Sequence, residues 1–269
     1  MSATAPAPEL LVEMSDDGVL TLTLNRPEVL NSLTMGMMAG ITAALKKAAS
    51  EKAVKVVLLT AAGRAFCAGA DLGDLQKRQA VKSFSLGDEL RDHFNPLVAA
   101  IRRLEKPVIG AVNGLAAGAG ASIVLFTDVK VCADGAKFIN AFVKVGLVPD
   151  SGMTYFLPRL MGYGKALEHA WLAKPITAQD ALACGLVNRV VPADQVLAEA
   201  KKLASELAAM PPLALALTKR AINRSLEAPS LEDQMEYEAQ LQAVLGQTKD
   251  HAEGVSAFLQ KRPPQFKGE

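Results

Sequence analysis

Apolar and polar positions alternate over Leu10–Met14 and 19–25, on either side of Asp16-Asp17-Gly18. A period of two broken by a glycine turn predicts a β-hairpin. The period then changes to that of a helix. Met37, Met38, Ile41 and Leu45 fall on one face of a segment that Thr34 is placed to cap and that runs to about Ser50. Residues 54–60 and Val108–Val112 are continuous apolar runs, as expected of strands buried on both faces. Each run enters a glycine-rich loop, 61–70 and 113–120, and the second loop leads into an apolar helix over 121–126. Short strands follow at 130–133 and 137–140. The polar-mixed residues between the first loop and Val108 show no period. Beyond Gly146 the spacing predicts helices over 152–160, 164–173, 177–184, 193–209, 212–226, 231–245 and 249–260, with a brief strand at 187–191.

Strands alternate with helices in the first half, whereas the last third is almost purely helical. The pattern predicts an α/β core over residues 1–210 and a helical C-terminal region over 211–269, with Pro211-Pro212 at the junction. At 269 residues the chain is long enough to bury a large core, and at 5% aromatic content that core is built from Ala, Val, Leu and Ile. A net charge of +1 without runs of one sign argues against nucleic acid or an electrostatic membrane anchor as partner. No uncharged apolar stretch reaches membrane-spanning length, and the N-terminal residues lack a secretory pattern. Cys67, Cys132 and Cys184 are widely separated with no CxxC spacing, which predicts reduced thiols in a cytoplasmic protein.

Candidate chemistry centres on the two strand–loop–helix passages, VKVVLLTAAGRAFCAGADL (54–72) and KPVIGAVNGLAAGAGASIVLF (106–126). Loops of small residues leave backbone N–H groups open, and two such loops aimed at one point would form an oxyanion hole. Either loop alone serves equally well as a tight turn. Gly118-Ala119-Gly120 opens a helix after a strand, but Ile123 replaces the third glycine of a dinucleotide fingerprint. No GxSxG elbow surrounds Ser122, His93, His169 and His251 lack metal-ligand spacing, and Cys67 has no evident base. Asp150 in GLVPDSG precedes an apolar run, where Asp is a good helix cap as well as a possible acid.

Five blocks occur in order: NRPEVLNSL (25–33), GRAFCAGADL (63–72), KPVIGAVNGLAAGAGASI (106–123), GLVPDSG (146–152) and DHAEGVSAFLQKRPPQF (250–266). Together they resemble the crotonase (enoyl-CoA hydratase/isomerase) superfamily over essentially the whole chain. The resemblance implies a spiral of β-β-α units and assembly as a homotrimer or a dimer of trimers. It also implies an acyl-CoA thioester substrate, with no separate cofactor and no metal. It places the oxyanion hole at the N–H groups of Ala68 and Ala119. It places CoA contacts at Arg26, Val29, Ala70, Asp71 and Leu72, and at Phe258 and Lys261 reaching a neighbouring subunit's nucleotide.

The two glutamates of the family's hydratases fall here on Ser122 and Phe142, neither of which is a carboxylate. Asp150 stands where the ring-epoxide isomerases of phenylacetate breakdown carry an aspartate, a segment that FINAFVKVGLVPDSG resembles. The resemblance therefore implies an isomerase that shifts a double bond or opens a ring epoxide, with Asp150 as acid and base and as helix cap at once. The alternatives are an enoyl-CoA hydratase, a dehalogenase using His93, and a non-catalytic acyl-CoA-binding protein.

Overall fold

A computed structural model describes residues 7–81 and 83–269. In chain order the elements are β1 (Leu10–Met14), β2 (Val19–Leu24), α1 (Met35–Ser50), β3 (Val56–Ala61), β4 (Ala65–Cys67), α2 (Leu72–Gln79), α3 (Leu86–Glu89) and α4 (Asn95–Arg103). Next come β5 (Val108–Val112), β6 (Leu115–Ala117), α5 (Ala119–Phe126), β7 (Val129–Ala133), β8 (Lys137–Ile139), α6 (Met153–Met161) and α7 (Tyr163–Leu172). The chain ends with β9 (Ile176–Thr177), α8 (Ala178–Ala183), β10 (Arg189–Val191), α9 (Val196–Ala208), α10 (Pro212–Ser225), α11 (Leu231–Leu245) and α12 (Lys249–Gln260).

The strands form two sheets, ordered β1-β2-β3-β5-β7-β10 and β4-β6-β8-β9. Three successive units, β3-β4-α2, β5-β6-α5 and β7-β8-α6, each give one strand to the large sheet, one to the small sheet, and then a helix. Parallel pairing of β3 with β5 and β5 with β7, and of β4 with β6 and β6 with β8, stacks these units as turns of a spiral. The expected α/β spiral of β-β-α units is the fold observed.

Local chemistry explains most elements. The hairpin β1–β2 is antiparallel, with Leu10 opposite Leu24. The Thr34 hydroxyl accepts the Met37 N–H at 3.0 Å, and the predicted face of α1 is fully buried. β3 and β5 are buried at nearly every position, because sheets cover them edge to edge and helices pack above.

Two differences from the expected pattern bear on the site. The loops 61–70 and 113–120 are not wholly irregular, because each contains a three-residue strand, β4 and β6, that builds the small sheet. The stretch before β5 is helical, with α3 and α4 joined by a π-helical turn, Leu90–Phe94. Pro96, which has no N–H to give to residue 92, lies just past that turn. No described helix is long and apolar enough to cross a membrane.

Side chains of α10 fasten it to the spiral, Lys219 most extensively. Lys219 Nζ donates to Asp128 Oδ2 at 2.7 Å and to the carbonyls of Ile101 and Lys106 at 3.2 Å each. Asp128 in turn accepts the Val108 N–H at 2.8 Å, so the C-terminal helices are tied to the edge of β5.

Candidate active site

The two glycine loops meet. Gly69 has φ +99°, and a Cβ placed on it would stand 3.0 Å from the Ala117 carbonyl oxygen and 3.6 Å from the Ala119 nitrogen. Only glycine permits this approach together with this backbone conformation. Ala119 is the first residue of α5, where backbone N–H groups have no partner within the helix. No hydrogen bond from the Ala119 N–H occurs among the described residues.

The N–H expected to face Ala119 has a partner within the chain. The Ala68 N–H donates to the Leu30 carbonyl at 2.9 Å, so it is spent on the loop 26–33 and has no proton for a ligand. The Leu33 N–H donates to the Gly69 carbonyl at 2.8 Å and the Asp71 N–H to the Leu33 carbonyl at 3.0 Å, which leaves the Ala70 N–H between them without an acceptor. Among the described residues the Ala70 and Ala119 N–H groups have no acceptor near the point where the loops converge, whereas that of Ala68 is engaged.

Arg26 and Asp71 come together. Arg26 donates to Asp71 Oδ2 and to the Ser32 carbonyl, both at 2.8 Å, and lies 3.2 Å from Glu9. Asp71 Oδ1 caps α2 by accepting the Gly73 and Asp74 N–H groups at 3.1 Å. The Arg26 hydrogen bond, the backbone bonds and Ser32 hold the Asp71 carboxyl below its ordinary range. Val29 and Leu72 flank this pair and are exposed.

Asp150 does not cap α6. The cap residue is Gly152, at φ +77° and ψ 4°, and no side chain closes the helix start. Ser151 is also left-handed, at φ +51°, so two left-handed residues separate Asp150 from the first residue of α6. The Ser151 hydroxyl donates to Asp150 Oδ1 at 2.8 Å. Burial pushes the Asp150 carboxyl above its ordinary value, and the Ser151 hydrogen bond pulls it part-way back. No helix-mouth contact lowers this acid, and loss of solvent is the larger influence on it.

Ser122, fully buried on α5, donates its hydroxyl to the Asp150 carbonyl at 3.3 Å and lies 3.5 Å from the Gly118 carbonyl. It links the start of α5, with its free Ala119 N–H, to the turn that carries Asp150. Phe142 is buried in the core cluster. Cys67 is buried beneath the first loop, where its thiol is pushed up to about 12 by loss of solvent, and it serves packing. His93 is exposed on the π-helical turn and has no described hydrogen bond, so no base of that kind is joined to Asp150.

Two expected residues lie apart. Phe258 is 83% exposed, and Lys261 ends α12 in a left-handed conformation. Phe258 lines a cavity of about 470 Å³ with Pro211, Leu213, Leu245, Val255 and Phe266, among the C-terminal helices.

The enoyl-CoA hydratase/isomerase family model matches residues 14–269. The chain belongs to the enoyl-CoA hydratase/isomerase family. Within this family it is 43% identical over 260 residues to 1,2-epoxyphenylacetyl-CoA isomerase of Escherichia coli (strain K12), covering 97% of this chain and 99% of that one. It is also 43% identical over 252 residues to a protein of Rhodobacter capsulatus named "Probable enoyl-CoA hydratase", covering 94% and 95%. Among solved structures it superposes on an enoyl-CoA hydratase from Polaromonas sp. JS666 with a TM-score of 0.91 at 34% identity, covering 96% and 99%. Its membership makes it an enzyme of the hydratase/isomerase kind with the crotonase-type spiral.

Proposed function

We propose that the chain is an acyl-CoA isomerase that shifts a double bond, or opens a ring epoxide, in an enoyl-CoA or phenylacetyl-CoA-derived thioester. The observation that carries this reading is the Asp150 turn. A part-buried carboxylate with one hydroxyl partner is tied by Ser122 to the helix start that holds the Ala119 N–H. At the two positions where the family's hydratases use glutamates stand Ser122, whose hydroxyl is engaged, and buried Phe142.

The chemistry follows from these groups. The Ala70 and Ala119 N–H groups stabilise the thioester oxygen as it becomes enolate-like. One such donor is worth about 2.7–4 kcal/mol of transition-state stabilisation. The Asp150 carboxylate removes the proton at C2, and the electrons pass to the thioester oxygen through the conjugated system. The same carboxyl then returns the proton at C4. Burial raises its proton affinity toward the working range, which favours both halves of the transfer.

Matched Δ3- and Δ2-enoyl-CoA substrates, with solvent-deuterium incorporation followed at C2 and C4, test the reading. Isomerisation much faster than hydration is expected. Hydration equal to or faster than isomerisation would make the chain a hydratase, the activity in the name of its R. capsulatus relative. No turnover of any thioester would leave it an acyl-CoA-binding protein.

CoA is expected along Arg26, Val29, Ala70, Asp71 and Leu72. Exposed Phe258 and Leu259 on α12, with Lys261, are suited to a neighbouring subunit in a homotrimer or dimer of trimers. Sedimentation should return a trimer or hexamer, and a monomer with full CoA affinity would remove this part of the proposal.

A further inference from the structure

A second cavity, of about 720 Å³, opens between α4, α6 and α10, with Arg102, Phe126, Gly152, Tyr155, Lys219 and Asn223 in its wall. None of the acyl-CoA site residues named above lines it. Its charges do not balance. Arg102, Lys130 and Lys219 lie in the field of a single buried carboxylate, Asp128. Lys219 claims that carboxylate at 2.7 Å.

Arg102 is left over. Its guanidinium lies 4.8 Å from the centre of the Phe156 ring and has no acceptor among the described residues. Lys130 is 7% exposed and its ammonium has no described partner either. Loss of solvent brings its amine down to about 8, with Asp128 opposing the shift and Arg102 adding a smaller push in the same direction as burial. Beside Arg102 the Tyr155 hydroxyl is buried with no hydrogen-bond partner. The remaining charges on the wall are the ion pair Arg220–Glu105, Arg103, Arg224 over the Tyr237 ring, and Glu227, so positive charge is in excess.

An unpaired guanidinium in the wall of an open volume, beside a buried hydroxyl without a partner, is costly unless an anion completes it. We propose that this cavity binds a small oxyanion of the phosphate class, held by the Arg102 guanidinium and the Tyr155 hydroxyl, as a site separate from the acyl-CoA centre. Gly152 in the wall places the occupant against the turn that carries Asp150, so binding stabilises the support of that acid. The volume also admits the phosphate of a larger molecule, and the test distinguishes a free ion from a nucleotide.

The experiment titrates the full chain with inorganic phosphate against chloride at matched ionic strength, reading Tm and calorimetric affinity. A parallel arm uses 3′,5′-ADP. Phosphate at about 100 times its Kd is expected to raise Tm by roughly 5–10 °C, with chloride inert. Arg102→Gln should weaken phosphate at least about 10-fold. Tyr155→Phe removes a hydroxyl that has no partner in the free protein, so its Tm without phosphate should be unchanged while its affinity falls. Three results would overturn the proposal: a Tm that tracks ionic strength alone, phosphate affinity unaltered in both variants, or binding of 3′,5′-ADP through Arg102 with no binding of phosphate.

Discussion

Replacing Asp150 by asparagine keeps the shape of the side chain and removes its acid–base function. A positioned acid–base group contributes about 10²–10⁴-fold, or roughly 2.7–5.4 kcal/mol of barrier, so isomerase turnover should fall by at least about 100-fold. Stability should move the other way. In the folded chain burial holds the Asp150 carboxyl above its ordinary value of 3.8, so the folded state binds its proton more tightly than the unfolded one. Stability is therefore lost as pH rises from 3.8 through the folded value, and above it the whole penalty of an ionised, part-buried carboxylate is present. The neutral amide of Asp150→Asn carries no such penalty. The variant should match or exceed the parent's Tm at pH 7, and any advantage should shrink as pH falls toward 4. Turnover of a Δ3-enoyl-CoA, followed by the absorbance of the conjugated product, and thermal unfolding at both pH values give the two readings. Turnover within tenfold of the parent, or a fall in Tm at pH 7, would show that Asp150 serves the turn and not the reaction.

Ser151→Ala deletes the one hydroxyl that favours ionised Asp150, so the acid limb of the kcat/KM profile should move to higher pH; an unmoved limb would show that the hydroxyl has no hold on the acid. Ala119→Pro at the first position of α5 suits the helix start but puts a ring methylene in place of the N–H, close to Gly69, so kcat should fall at least about 100-fold, and a loss under tenfold would remove Ala119 from the hole. Lys219→Met strands Asp128, 18% exposed, without its cation and should cost about 3–5 kcal/mol in chemical denaturation. Adding Asp128→Asn to that variant should recover part of the loss, and failure to do so would mean the lysine acts through its two carbonyl contacts instead.

The large sheet and the helices were legible because their periods are long and mostly apolar. β3 and β5 are buried runs, and α1 has both a cap and a stripe. β4 and β6 were not legible, because three residues inside a glycine loop have no period, and α2 was not, because none of its residues is buried. At the site, the small-residue loops pointed to the place where Gly69 and Ala119 meet. The choice between Ala68 and Ala70 could not be read, because it rests on the Leu30 carbonyl taking one N–H from a loop distant in sequence. The expected cap at Asp150 failed for a related reason. PDSG contains good capping chemistry, but two left-handed residues in succession put Gly152, and not Asp150, at the helix start.

Ser122 makes two segments of the chain depend on each other. Its single proton is turned toward the Asp150 carbonyl, with that of Gly118 at the edge of reach. A side chain without a proton to give could not make this bond, and the turn under Asp150 would lose its tie to α5. The side chain at 122 and the conformation of residues 150–152 therefore cannot be altered independently, and a redesign of either has to treat the two as one unit.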